Sequence, residues 1–342
     1  MKDFFIADAA RFDNQVVTTY FCLSSVQVRD RKQGGQYLAL TLTDKTGQME
    51  GRMWEDIADA QQHCSEGCYV KVQGQISKYQ GKFQITLTKM RNAADSEIEA
   101  SDFVPATQFD IAEMYAELTG YVAAFKNPHL RALVHAFLDD ENIGAAFRTA
   151  PAAKRLHHAW IGGLLEHVLT LVRVCRATAP FYPEVDPDLL VTGAILHDIG
   201  KVRELSWKSS FNYTLEGQLI GHISIAQGML HEKVATLNAQ AVASAIVAGN
   251  PPQLFPDRLR LLVEHMILAH HGKLEFGSPK LPMTPEAMLL SALDDLEAKF
   301  QAMRNEFVGA KASGKGPAEV TEWVRSMDRP LFDSKAFLND PE

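Results

Sequence analysis

The reading of this chain turns on Ala194-Ile195-Leu196-His197-Asp198-Ile199-Gly200-Lys201. An apolar run ends in an imidazole beside a carboxylate, a pair that is costly to bury unless it is partnered or metallated. On its own, a His-Asp dipeptide is more often a helix cap than a pair of ligands, but its surroundings shift the balance. His167 interrupts the stretch Gly162–Val172, in which Leu164, Leu165, Val168, Leu169 and Val172 follow helical spacing. His222 sits among Leu219, Ile220, Ile223 and Ile225. His270 and His271 close an apolar run, and Asp294 and Asp295 interrupt another at Leu289–Phe300. Each of these residues taken singly reads as a satisfied core or capping group. Successive helices that all place a His or Asp on an apolar face read better as one buried metal centre. Mixed imidazole and carboxylate ligands suit Mn²⁺, Fe²⁺, Co²⁺, Ni²⁺ or Zn²⁺ better than Ca²⁺.

Working outward, helical patterning extends from about Phe109 to about Phe307. It predicts helices at Ile111–Phe125, Leu130–Asp139, Gly162–Ala177 and Asp188–His197, then near Ile220–Val234, Arg258–Ala269 and Pro285–Phe307. The ninety-odd residues before this read as strands: Val16–Val28, Tyr37–Thr43, Met49–Trp54, Tyr69–Ser77 and Phe83–Met90. A short helix is expected at Glu55–Cys64. Five strands with a helix between the third and fourth is the order of an OB-like barrel. The expectation is therefore a multidomain α+β protein: a five-stranded OB-like barrel over 1–93, a linker over 94–108, an all-α domain over 109–310 and an extension over 311–342. The linker assignment rests on lost periodicity in AADSEIEASDFVPATQ. In the extension, a short helix is expected near Glu319–Met327.

At 342 residues with 46% apolar and 22% charged side chains, the chain has the composition of an ordinary globular protein with room for two cores. The opening residues carry acids where a signal peptide needs an apolar run, and no stretch approaches the roughly 20 apolar residues of a membrane span. The expected location is the cytoplasm, without membrane contact. Four cysteines make no disulfide framework. His63, Cys64 and Cys68 lack a fourth zinc ligand nearby, so reduced thiols are expected. The net charge of −8 is uneven: residues 1–95 carry 12 basic against 11 acidic side chains. Gly67–Ala94 has no acid at all, while Lys71, Lys78, Lys82, Lys89 and Arg91 interleave with Tyr69, Tyr79 and Phe83. Single strands are bound by OB-folds through basic grooves and aromatic faces. Tyr37, Trp54, Lys71, Lys78, Tyr79, Lys82 and Phe83 are thus the candidate nucleic-acid platform, against the alternative that the rings fill the barrel's own core.

The order His167, His197-Asp198, His222, His270-His271, Asp294 resembles the signature of the HD superfamily of metal-dependent phosphohydrolases. The resemblance implies that His167, His197, Asp198 and Asp294 hold one ion. It implies a second ion, with Mn²⁺ favoured, on His222 and one or both of His270 and His271. The runs ILHDIGKVRELS, YTLEGQLIGHISIA and LAHHGKLEFGSPK, behind an OB-like part, further resemble the YhaM-type 3′-to-5′ exoribonucleases. Nearly the whole chain to about Phe307 is covered, the barrel by architecture more than by motif; the tail after Lys311 lies outside it.

Such a site hydrolyses phosphodiesters, because two ions about 3.5–4 Å apart can lower the pKa of a water and clamp a phosphate. Asp198 and Lys201 are the expected catalytic residues. Lys201, four residues past His197 on a helical count, would share its face and reach a phosphate oxygen, the alternative being a helix-end cation. Arg155 and His158, with Lys154 and His157, and also Lys273 and Lys280, are candidate phosphate contacts, equally readable as surface charges. The resemblance implies single-stranded RNA, trimmed from the 3′ end, as the substrate, with single-stranded DNA also allowed; a homo-oligomer is allowed. Hydrolysis of a cyclic dinucleotide is weakened by Gly272-Lys273-Leu274 after His271, where the cyclic di-GMP enzymes carry a GYP-bearing loop. A non-catalytic RNA-binding protein would lack ligands, yet every expected position is filled.

Overall fold

The order of elements follows from two hydrophobic periods in succession, alternate residues first and helical spacing after. The computed structural model describes residues 2–31, 34–57, 60, 64–99, 102–154, 160–207, 211–313 and 319–339. They form two compact units, Met1–Gln108 with Leu205–Asn212, and Phe109–Glu204 with Tyr213–Glu342.

The first unit is a closed barrel of β1 (Val16–Asp30), β2 (Gln36–Asp44), β3 (Gly47–Met53), β4 (Tyr69–Tyr79) and β5 (Lys82–Asn92), ordered β1-β2-β3-β5-β4. Strand β1 closes the ring because it pairs with β4 through Val16–Cys22 and with β2 from Cys22 onward, bending at an irregularity between Leu23 and Ser25. The β3–β5 pairing is parallel. Alternation sends Leu38, Leu40 and Leu42 inward against Phe21, Leu23, Val70, Val72, Ile76 and Ile85. Gly74 stands where the β4–β5 register shifts, and a side chain there would meet the Thr86 carbonyl at 2.5 Å. An unexpected 3-10 helix, Ile6–Phe12, closes one end, with Phe4 edge-on to Phe12 and Phe21. Half of the expected Glu55–Cys64 helix lies outside the described residues.

Part of the expected linker belongs to the barrel. Phe103 is buried against the Tyr69 ring, Lys45 pairs with Asp102 at 3.0 Å, and Glu97 folds back onto Arg91 at 2.7 Å.

The second unit contains α1 (Ile111–Ala123), α2 (Pro128–Leu138), α3 (Glu141–Thr149), α4 (Gly163–Thr178), α5 (Pro187–Leu196), α6 (Lys201–Glu204), α7 (Leu215–Leu219), α8 (His222–Ala248), α9 (Asp257–Ala269), α10 (Pro285–Ser313) and α11 (Ser334–Asn339). Helix α5 is central. Asp186 caps it by accepting from the Asp188 and Leu189 amides, Pro187 starts it, and Leu189 to Leu196 are buried on all sides. It is packed by α4, α9, α10 and α2. One expectation is corrected here: Glu319–Met327 is not helical. Val320 and Val324 instead form isolated bridges to Phe332 and Arg329, and Val324 and Leu331 bury their side chains. The apolar spacing there serves a β-like turn rather than a helix face. Among the described residues, no helix is long and apolar enough to cross a membrane.

Candidate functional site

The end of α5 delivers His197 and Asp198 into the middle of the second unit, where both are buried. Around them gather His167 from α4, His222 from the start of α8, His270 and His271 from the end of α9, and Asp294 from α10. They form two trios whose ligand atoms lie within 4.8 Å of one another: His167, His197 and Asp294, and His222, His270 and His271. Asp198 stands between them. Its Oδ2 is 3.3 Å from His197 Nε2 and 3.7 Å from His167 Nε2. Its Oδ1 is 3.4 Å from His222 Nε2 and 3.7 Å from His270 Nε2.

All five imidazoles are oriented the same way. Each Nδ1 faces an oxygen acceptor: Glu297 for His167 at 2.7 Å, the Ala194 carbonyl for His197 at 2.9 Å, and Glu204 for His222 at 3.1 Å. The Ile267 carbonyl serves His270 and the Phe276 carbonyl serves His271, both at 2.8 Å. An Nδ1 facing such an acceptor carries the proton and leaves Nε2 as a lone pair. Five Nε2 atoms thus converge on the space around Asp198, the aim a cation requires of its ligands. Asp198 Oδ1, His222 Nε2 and His270 Nε2 are buried with no hydrogen-bond partner among the described residues. Buried polar atoms are rarely left so, and a divalent cation would satisfy all three.

The electrostatics agree. Burial alone would raise the Asp198 carboxyl, but Lys201 and His197 outweigh it and hold it well below the ordinary range. Burial above all keeps His270 well below its usual value, hence neutral. Burial also opposes charge on His167, yet the carboxylates of Asp294 and Glu297 carry it up to about 10, so a bound cation would take the place of its Nε2 proton.

Two functional residues escaped the sequence reading. Glu297 lies one turn after Asp294 on α10, and Glu204 three residues after Lys201; each fixes one histidine. Their spacing was visible, but their direction was not. The expectation for Lys201 is corrected. The chain turns at 197–200 and α6 begins anew at Lys201, so Lys201 does not share a helical face with His197. Its ammonium is buried and donates to Asp198 Oδ2 at 2.6 Å, which makes it a partner of that carboxylate rather than a free phosphate contact. The close approach of the start of α8 requires Gly200, because a side chain there would meet the His222 carbonyl at 2.0 Å. Lys273 and Lys280 are exposed on the loop after His271. Arg155 and His158 lie outside the described residues.

On the barrel, Tyr37 and Trp54 stack on each other at 4.6 Å, and the Arg31 guanidinium lies 5.1 Å from the Trp54 ring. The outer faces of β1, β2 and β3 continue this patch as a groove containing Gln27, Arg29, Ala39 and Arg52. Arg52 reaches the Tyr79 ring at 5.2 Å, and Tyr79 is 50% exposed. Arg29 and Arg52 were missed because they fall outside the acid-free run. Lys78 and Lys82 are exposed near the β4–β5 turn. Two platform residues are corrected. Lys71 pairs with β1 at Tyr20, away from the β2–β3 face, and its charge is met by Glu97 at 3.3 Å. Phe83 packs half-buried against the barrel core, with the Lys78 ammonium 5.6 Å from its ring. All four cysteines are free thiols, and burial pushes Cys22 up to about 11 and Cys175 up to about 12. His63 lies outside the described residues.

Residues 25–93 match the family described as "OB-fold nucleic acid binding domain", and residues 164–299 match "HD domain". The 3′-5′ exoribonuclease YhaM of Halalkalibacterium halodurans is 32% identical over 328 residues, covering 96% of this chain and 95% of the relative. The chain belongs to the YhaM family. The protein of the same name from a Geobacillus species is 33% identical, with 93% of each chain covered. That of Bacillus licheniformis is 34% identical over 94% of this chain and 95% of its own. As a YhaM-family chain it pairs an OB-fold with an HD domain, and the HD domain implies dependence on a divalent metal.

Proposed function

We propose that the protein is a hydrolase that shortens single-stranded RNA from its 3′ end, in the cytoplasm, with two Mn²⁺ ions. The observation that carries this reading is the position of Asp198, one carboxylate oxygen toward each trio, with the Nε2 atoms of all five histidines turned inward. His167, His197 and Asp294 would hold one ion, and His222, His270 and His271 the other, with Asp198 shared. When bound, the ions would lower the pKa of a water and neutralise charge on the scissile phosphate. The chain supplies the rest. Glu297 and Glu204 aim two of the imidazoles, and Lys201 keeps Asp198 ionised. The ring pair Tyr37–Trp54 and the cations Arg29 and Arg52 offer stacking and phosphate contacts to a strand without selecting its sequence. RNA as the substrate and the 3′-to-5′ direction are supported by the names of the relatives.

The test uses metal-stripped protein resupplied with Mn²⁺, 5′-labelled single-stranded RNA or DNA, and an Asp198→Ala variant. A ladder receding from the 3′ end, dependent on metal and lost in the variant, is the expected result. RNA bound but left intact with Mn²⁺, Co²⁺, Fe²⁺ and Zn²⁺ alike would overturn the proposal. DNA shortened as fast as RNA would remove the preference.

A further inference from the structure

The loop after the paired histidines, Gly272 to Lys280, is tied to the metal centre yet holds none of its ligands. His271 Nδ1 donates to the Phe276 carbonyl at 2.8 Å, so the backbone of Phe276 sets the aim of one histidine. The loop is well fixed. Gly272 and Gly277 adopt φ of +73° and +84°, and a side chain at Gly272 would meet Ser291 Oγ at 2.4 Å. Leu274–Phe276 form a 3-10 turn, closed by the Phe276 amide donating to the Lys273 carbonyl at 3.1 Å and the Gly277 amide to that of Leu274 at 3.0 Å. Ser278 is buried, its Oγ 3.0 Å from the Leu268 carbonyl and 2.7 Å from that of Lys280.

This anchored loop nevertheless presents apolar side chains to water: Leu274 is 62% and Phe276 is 56% exposed. A single exposed apolar residue needs no explanation. An aromatic ring whose own backbone holds a metal-centre histidine, with the Lys273 ammonium 5.0 Å from its centroid, is a different matter. Ring and cation side by side match the two parts of a nucleotide, a base with a π-face and a phosphate. The ring's backbone link to His271 places the pair at the rim of the centre, where the last nucleotide of a strand would lie.

We propose that Phe276 is the stacking platform for the 3′-terminal nucleobase, with Lys273 meeting that nucleotide's phosphate. The inference rests on the exonuclease reading and names the residues that seat the end of the strand. The test compares Mn²⁺-loaded wild type, Phe276→Ala and Phe276→Tyr on two 5′-labelled RNAs, identical except that one ends in an abasic ribose. Wild type is expected to lose roughly tenfold in kcat/KM on the abasic end, the worth of one stacked base. Phe276→Ala should lose about the same on intact RNA and nothing further on abasic RNA, and Phe276→Tyr should restore the discrimination. Equal losses on both RNAs, or no loss on intact RNA, would overturn the proposal, since the first would mean only that His271 had been displaced.

A second readout separates this idea from the exonuclease reading. RNA ending in 2-aminopurine, with a non-hydrolysable methylene phosphonate as its last linkage, reports stacking as a loss of fluorescence on binding. Quenching by wild type but not by Phe276→Ala would support the stack even if no RNA were shortened. Equal quenching by both would overturn it.

Discussion

The two units handle charge in opposite ways. The barrel buries an almost wholly aliphatic and aromatic interior and leaves most of its basic side chains on the outside; the buried Lys2–Asp44 pair, at 3.2 Å, is an exception. The helical unit brings imidazoles and carboxylates into its centre: His167, His197, Asp198, His270 and Glu297 are all buried. Surface charges are solvated, cheap and largely interchangeable. Buried ones must each find a partner, so nearly every contact in the helical centre is constrained. Substitutions in the two regions should therefore differ in kind, steep and specific in the centre, graded and additive on the barrel.

The largest effect is expected for Asp198→Ala. It removes the group shared by both trios and should lower the cleavage rate by on the order of a thousandfold, about 4 kcal/mol of transition-state stabilisation. RNA affinity, measured by fluorescence anisotropy, should stay within about threefold, because the barrel is untouched. A comparable fall in affinity would break the comparison. Next comes Glu297→Ala, which leaves every ligand in place but frees His167 Nδ1. Calorimetric titration with Mn²⁺ should show affinity lower by about 10–100-fold. Unchanged affinity would mean that Glu297 only packs.

On the barrel, Trp54→Ala should weaken RNA binding by about 1–3 kcal/mol while leaving the metal titration unaltered. Lys78→Ala and Lys82→Ala should each weaken binding uniformly across sequences and reduce the salt dependence of log Kd by a slope of about 0.7. A sequence-dependent loss would show that these lysines read bases.

The smallest effect concerns stability. Asp140 caps α3 through the Asn142 and Ile143 amides and pairs with Lys233 at 2.6 Å. Asp140→Ala should cost about 1 kcal/mol in denaturant unfolding at pH 7. The Ile143 amide and Lys233 hold the Asp140 carboxyl down at about 2, against 3.8 in the unfolded chain. Its folded value is depressed, so its contribution is complete above the unfolded pKa and fades as pH falls from near 4 toward 2. The gap between variant and wild type should close over that window.

The two regions also differed in how legible they were. The metal ligands could be read because a histidine or aspartate on an apolar helix face breaks a pattern, and the break itself marks the position. Glu297 and Glu204 could not, because a glutamate one turn from a ligand looks like any solvated charge until the helices pack. Lys201 was misplaced because a helical count cannot see the turn that Gly200 makes against His222. On the barrel, the acid-free run drew attention to Lys71, yet Glu97, beyond the end of that run, folds back to pair with it and with Arg91. The linker assignment failed to foresee the same contact, since loss of periodicity says nothing about where a segment will pack.

By itself the sequence determined the two hydrophobic periods, hence a barrel followed by helices, and the order of residues able to hold metal. Those depend on local spacing, which the chain carries in one dimension. Only the tertiary structure decided that Asp198 stands between the two ligand trios, that the Nδ1 of each of their five histidines meets an acceptor, and that Tyr37, Trp54 and Arg52 share one face. Such relations join residues as far apart as His167 and Glu297, 130 positions along the chain. Direction and distance between distant side chains exist only once the cores have packed.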